Sequence, residues 1–179
     1  MDKGFSIKYT ILVMCFFLFA CVSHQPEKKN NQNKVQSYSK EDMIETHKYL
    51  LKKDSERISN FIKRHDWDME VTETGLWYMI YQHGEGKQAK KGMDATINYT
   101  ISLMDGTICY TSDSLGAKTF EIGHNREVSG MDEAIMKMQI GDKAKFIMPP
   151  HLAHGLVGDR KKIPARATII YDIELINLN

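Results

Sequence analysis

The chain changes rhythm at Leu76, and that change restricts it to a mixed architecture. Leu76, Tyr78 and Ile80 alternate with Trp77, Met79 and Tyr81. The same alternation returns in Ala95, Ile97, Tyr99, Ile101 and Leu103, and again in Ala167, Ile169, Tyr171, Ile173 and Leu175. A period of two sends successive side chains to opposite faces of a sheet. Gly84-Glu85-Gly86 interrupts the first strand, and Asp105-Gly106 is a hairpin signal after the second. Shorter strands are predicted at Ile108–Thr111, Thr119–Ile122 and Lys143–Met148. Between them Ser129–Met138 returns to helical spacing, with Met131, Ala134, Ile135 and Met138 on one face. Asp132 and Glu133 suit the positive end of that helix, Lys137 its negative end, and Gly141 its stop. Many strands around one short amphipathic helix make residues 71–179 an α+β domain. Pro149–Arg166 has turn residues but no period, and long segments of that kind are functional or disordered.

The rest of the chain reads as appendages. Residues 1–20 have the form of a lipoprotein signal peptide: Lys3 and Lys8, an apolar run from Ile11 to Phe19, then Leu18-Phe19-Ala20-Cys21 as a lipobox. The run is too short and too early to span a bilayer comfortably as a mature helix, with a plain amino-terminal membrane anchor as the alternative reading. Cys21 is therefore the expected lipidation site, giving a membrane partner through an amino-terminal lipid anchor. Localisation follows as cell envelope, lipid-anchored. Val22 after the cysteine provides no inner-membrane retention cue, so the outer membrane is the expected one. Residues 21–38 are polar and read as a disordered tether. Residues 39–66 form an amphipathic helix, opened by Ser39 with Glu41 and Asp42. Ile44, Leu51 and Ile58 stand a heptad apart, so the helix either packs on its own domain or makes a homodimer or partner contact through residues 43–62.

Charge excludes other classes. Twenty-four Lys and Arg balance 23 Asp and Glu, without a basic stripe, so nucleic acid is not an expected partner. Of three cysteines, Cys15 leaves with the signal and Cys21 takes the lipid, so Cys109 has no disulfide partner. It reads as a small buried strand residue, with a nucleophile as the alternative. His151 and His154 offer half a metal site with no third ligand placed by sequence, and no cofactor is implied. Gly84-Glu85-Gly86 is not a phosphate loop because no helix follows it. Asp113, Asp159 and Arg160 read as solvated loop charges.

An ordered series of motifs then carries a resemblance. It runs Ile97-Asn98-Tyr99-Thr100, Asp105-Gly106, Phe120-Glu121-Ile122-Gly123, Val128-Ser129-Gly130-Met131, Ile140-Gly141-Asp142-Lys143, Leu152-Ala153-His154-Gly155, Ile163-Pro164 and Ala167–Leu175. Together these segments resemble the FK506-binding-protein (FKBP-type) peptidyl-prolyl isomerases. The lipobox, Thr74-Gly75-Leu76-Trp77-Tyr78 and Pro150–Gly155 look like the gliding-motility-associated isomerase lipoproteins of Bacteroidetes.

The resemblance implies an antiparallel half-barrel wrapped around the Met131–Met138 helix, and proline-containing polypeptide clients. It implies a pocket between barrel and Pro149–Arg166 loop, drawing on Tyr99, Tyr110, Phe120, Val128, Met131, His154, Ile163 and Tyr171. Val128 matches the position whose backbone N–H binds a substrate carbonyl. Departures accompany the matches. Met131 stands for a tryptophan floor, His154 for a flap tyrosine and Lys118 for a wall aromatic. Ile108–Thr111 aligns in two registers. In one, Cys109 replaces a phenylalanine and Tyr110 an aspartate; in the other, Tyr110 keeps the aromatic and Thr111 replaces the aspartate. The aspartate is missing in both, and Tyr110 is expected inward through a local bulge. The changes imply weak isomerase activity, or proline binding without turnover.

Overall fold

The structure, a computed structural model, describes residues 39–124 and 127–179. The expected signal peptide, Cys21 and tether lie outside the described residues. Ser39–Asn179 forms one compact unit. Its elements are α1 (Lys40–His65), β1 (Glu70–Val71), β2 (Trp77–Gln82), β3 (Asp94–Leu103), β4 (Ile108–Thr111), α2 (Ser112–Leu115), β5 (Lys118–Glu121), α3 (Ser129–Met136), β6 (Lys143–Met148) and β7 (Ile169–Leu178), with a 3-10 turn at Pro150–Leu152.

All strands pair antiparallel in one seven-stranded sheet, ordered β1-β2-β6-β7-β3-β4, with β5 also paired to β3. The sheet is covered on both faces. On one face Met131, Ala134, Ile135 and Met138 pack with Ile97, Phe146, Ile169, Tyr171 and Ile173. On the other, Ile58, Phe61 and Ile62 of α1 pack with Ile147 and Ile170, flanked by Trp67, Trp77 and Met104. Successive residues point to opposite faces, so Phe146 and Ile147, or Tyr171 and Ile170, serve different cores.

Helix α1 is set by its ends and its inner face. Ser39 accepts the Asp42 N–H at 3.1 Å while Asp42 accepts the Ser39 N–H at 3.2 Å, a reciprocal cap. Asp66 closes the helix in the left-handed region, φ 53°. The carboxylate of Asp54, a buried residue, meets Arg166 at 3.1 Å. The second half of the helix thus docks on its own domain, whereas Met43, Ile44 and Tyr49 stay exposed.

Several boundaries differ from the expected ones. Helix α3 stops at Met136, because Lys137 and Met138 turn onto the carbonyls of Ala134 and Ile135. Gly141 is not its stop; at φ 92° it turns the chain into β6 and donates to the Leu175 carbonyl at 2.8 Å. Asp132 accepts the Gly123 N–H at 2.9 Å, and Glu133 accepts the Thr74 hydroxyl at 2.6 Å, so both carboxylates tie loops to α3. Strand β7 begins at Ile169 rather than Ala167 and runs on to Leu178. A buried Asp142 accepts the N–H groups of Gly84 and Gln139 at 2.7 and 2.8 Å, joining the turn after β2 to the start of β6.

The two-sided core yields a stability test. Ile58 is fully buried. Ile58→Ala is expected to cost about 2–4 kcal/mol in chemical denaturation, through lost burial and a residual cavity. Met43→Ala, on the exposed part of the same helix, is expected to stay within about 0.5 kcal/mol.

Candidate functional site

Three residues of β3 begin the site. Ile97, Tyr99 and Ile101 share one face of that strand and line a cavity of about 240 Å³. Tyr110 of β4, Leu115 of α2, Lys118 of β5, Glu127, Val128 and Met131 around the start of α3, His154 and Ile163 of the long loop, and Tyr171 of β7 complete it. Drug-sized sites run to roughly 300–1,000 Å³, so this hollow suits a ring-sized group. Its walls are mostly apolar, with a few polar atoms at set places.

The place of Tyr110 comes from a bulge. Ile101 pairs with Tyr110 but Ser102 pairs with Ile108, leaving Cys109 as the additional residue of β4. Cys109 is 1% exposed in the core and Tyr110 lines the cavity. Thr111 is drawn elsewhere: its hydroxyl caps α2 by accepting the Ser114 N–H at 3.3 Å. The Cys109 thiol lies 3.6 Å from the Lys162 carbonyl, and burial pushes its pKa up, which leaves no thiolate nucleophile near neutral pH.

Tyr110 is held from the other side of the hollow. Its hydroxyl donates to the Asp159 carboxylate, whose second oxygen accepts the N–H groups of Lys161 and Ile163, each at 2.8 Å. Asp159 is therefore not a solvated loop charge. It gathers the loop, sets Ile163 against the cavity and returns a carboxylate to Tyr110. Partial burial pushes its pKa up. The Tyr110 hydroxyl, the Ile163 and Lys161 amides and the nearby His154 outweigh that and hold it at about 2.

The wall beside β5 is polar. Lys118 Nζ meets Glu127 Oε2 at 2.5 Å. Lys118 fills the wall position already marked by its sequence. Glu127 was not foreseen, because no local pattern links two charges across a turn. Val128 sits at the helix N-cap with φ −64°. Its carbonyl accepts the Met131 N–H at 2.9 Å, while its own N–H has no partner among the described residues. Tyr171 is 4% exposed, and its hydroxyl likewise has no hydrogen bond among them.

Phe120 departs from the expected site and does not line the hollow. It pairs with Ala95, two residues further along β5 than Lys118, which pairs with Ile97. That step carries its ring into the closed core, where it is 5% exposed. His151 and His154 also part company. His151 Nε2 is 2.8 Å from the Thr74 carbonyl, to which it donates, whereas His154 lines the cavity. Among the described residues there is no cluster of three metal-ligating side chains.

The family model for FKBP-type peptidyl-prolyl cis-trans isomerase matches residues 85–176. FK506-binding protein 2 of Yarrowia lipolytica is 36% identical over 94 residues, covering 52% of this chain and 65% of that protein. The probable FKBP-type peptidyl-prolyl cis-trans isomerase FkpA of Neisseria meningitidis is 31% identical over 138 residues, covering 75% of this chain and 50% of that protein. The chain thus spans less than two thirds of the length of both relatives. The crystal structure of FkpA from Escherichia coli superposes with a TM-score of 0.62 at 22% identity, covering 80% of this chain and 74% of that one. At that identity the likeness concerns the fold: an FKBP-like antiparallel sheet curled on a helix.

The Asp159 clasp has a defined pH window. Its folded pKa of about 2 lies below the ordinary unfolded value of roughly 3.9. Its contribution to stability is full above the unfolded value and disappears as pH falls through about 2. The Lys161 and Ile163 amides should therefore keep their hydrogen-exchange protection near pH 5. They should lose it between about pH 4 and 2, and Asp159→Ala should lack it throughout.

Proposed function

The chain belongs to the FKBP-type peptidyl-prolyl cis-trans isomerase family, and from that premise we propose that it speeds rotation about X–Pro bonds in exported polypeptides. The observation that carries the reading is the open, ring-sized hollow between sheet, α3 and the long loop, with the Val128 N–H at its edge.

The chemistry needs no nucleophile, metal or general base. Partial double-bond character gives peptide rotation a barrier of roughly 18–20 kcal/mol. Twisting the bond removes resonance and reduces charge separation across the imide. Water stabilises the planar, more dipolar form better than an apolar cavity does. Walls of Tyr99, Met131, Ile163 and Tyr171 therefore favour the twisted form relative to solution. A donor such as the Val128 N–H fixes the chain on a carbonyl outside the rotating bond, which supplies orientation.

A second reading, proline binding without turnover, draws on Met131 and the Lys118–Glu127 pair. A flexible thioether defines the floor less sharply than a ring, and an ion pair on the wall lessens the apolar contrast with water. The finer reading places the protein as a lipoprotein of the cell envelope, anchored at Cys21 in the outer membrane, assisting folding of envelope proteins and of motility components. Lys3, Lys8 and Leu18-Phe19-Ala20-Cys21 support it. A homodimer or partner contact through residues 43–62 is supported by exposed Met43, Ile44 and Tyr49; Ile58, Phe61 and Ile62 are already committed to the sheet.

Two measurements test these statements. A proline-peptide exchange assay should show catalysis by the full chain and roughly tenfold less by Val128→Pro. Proline fits φ −64° but has no N–H to donate. Catalysis no faster than buffer leaves only the binding reading. Feeding cells an alkyne-tagged fatty acid should label the parent protein and leave Cys21→Ser unlabelled; equal labelling would remove the anchor.

A further inference from the structure

Tyr171 poses a question that an apolar cup does not answer. It stands on the central strand β7, opposite Ile101 of β3 and Phe146 of β6. Its residue is 4% exposed, yet it lines the cavity, and its hydroxyl bonds to no described residue. Burying a hydroxyl without a partner is unfavourable. No buried side-chain oxygen or nitrogen among the described residues is both sealed from solvent and unpartnered. The Tyr171 oxygen therefore opens on the hollow, where a bound group can satisfy it.

The hydroxyl can serve only as a neutral group. Burial first, then charge repulsion from the Glu127 carboxylate and the Tyr99 phenol oxygen, raise its pKa above the ordinary tyrosine value, so it keeps its proton. A protonated donor on the wall of a proline site has two kinds of target. The imide oxygen is most negative in the planar state, so donation there would hold the bond planar. The imide nitrogen gains a localised lone pair only as the bond twists, so donation there favours the twisted state.

Resting on the isomerase reading above, we propose that the Tyr171 hydroxyl is a catalytic residue that donates a hydrogen bond to the prolyl nitrogen as the imide twists. The proton stays on the phenol oxygen throughout. The bond to nitrogen forms as resonance is lost and breaks as planarity returns, so nothing is consumed. The donor thereby compensates for a floor of methionine.

The test separates rate from affinity. With the full chain and a Leu-Pro peptide, NMR exchange at saturating peptide gives kcat, and a chemical-shift titration gives Kd. Tyr171→Phe keeps the ring and removes one oxygen, and thermal unfolding confirms that the variant is folded. The expected result is a kcat lower by roughly five- to tenfold, with Kd within about twofold. An active parent matched in kcat by Tyr171→Phe, or a variant altered only in Kd, overturns the proposal and leaves the isomerase reading standing. A parent no faster than free peptide brings down both together.

Discussion

Burial of β7 on two sides is the constraint on which the rest depends. Ile169, Ile170 and Tyr171 are consecutive and all buried, which no one-faced strand allows. Tyr171 and Ile169 look toward α3 while Ile170 looks toward α1. The strand is pinned between β6 and β3 by a ladder on each edge, unbroken to β6 and shifting register by one residue to β3 between Thr96 and Ile97. A slip of one residue would exchange the two cores and turn Tyr171 away from the hollow. Fold stability and site geometry therefore rest on the same register.

The site itself is assembled from pieces that have little in common locally. The sheet supplies rigid rings, the start of α3 supplies Val128 and Met131, and the long loop supplies His154 and Ile163. Asp159 coordinates the last of these with the sheet through Tyr110 and two amides. A bond between a strand hydroxyl and a loop carboxylate ties two walls of the hollow together, beside the packing of Ile163. The carboxylate of that bond comes from the loop, on the wall opposite β4.

Much of the framework is legible in the sequence. Period-two runs mark β2, β3 and β7, because successive side chains serve opposite faces of the sheet, and helical spacing marks α3, which buries one face. The bulge at Cys109 was inferred from the conflict between two registers, since only an additional residue lets Cys109 and Tyr110 both turn inward. Phe120 was misread because alternation gives the face of a strand and not the depth along it. Asp159 and Glu127 were missed for a different reason. Their partners lie 49 and 9 residues away, across a loop and a turn without periodicity, so no local pattern marks them. The second core escaped too: α1 announced an apolar stripe but not which surface would receive it.

That second core bears on where the molecule can be divided. The stretch matching the family model, 85–176, contains neither α1 nor β2. A fragment cut to those limits would lay Ile147 and Ile170 bare and leave β6 with an open hydrogen-bonding edge. Such a piece would tend to stick to copies of itself. Whoever trims this gene for expression must keep the docked half of α1 and β2, because the compact unit is larger than the stretch by which its kinship is recognised.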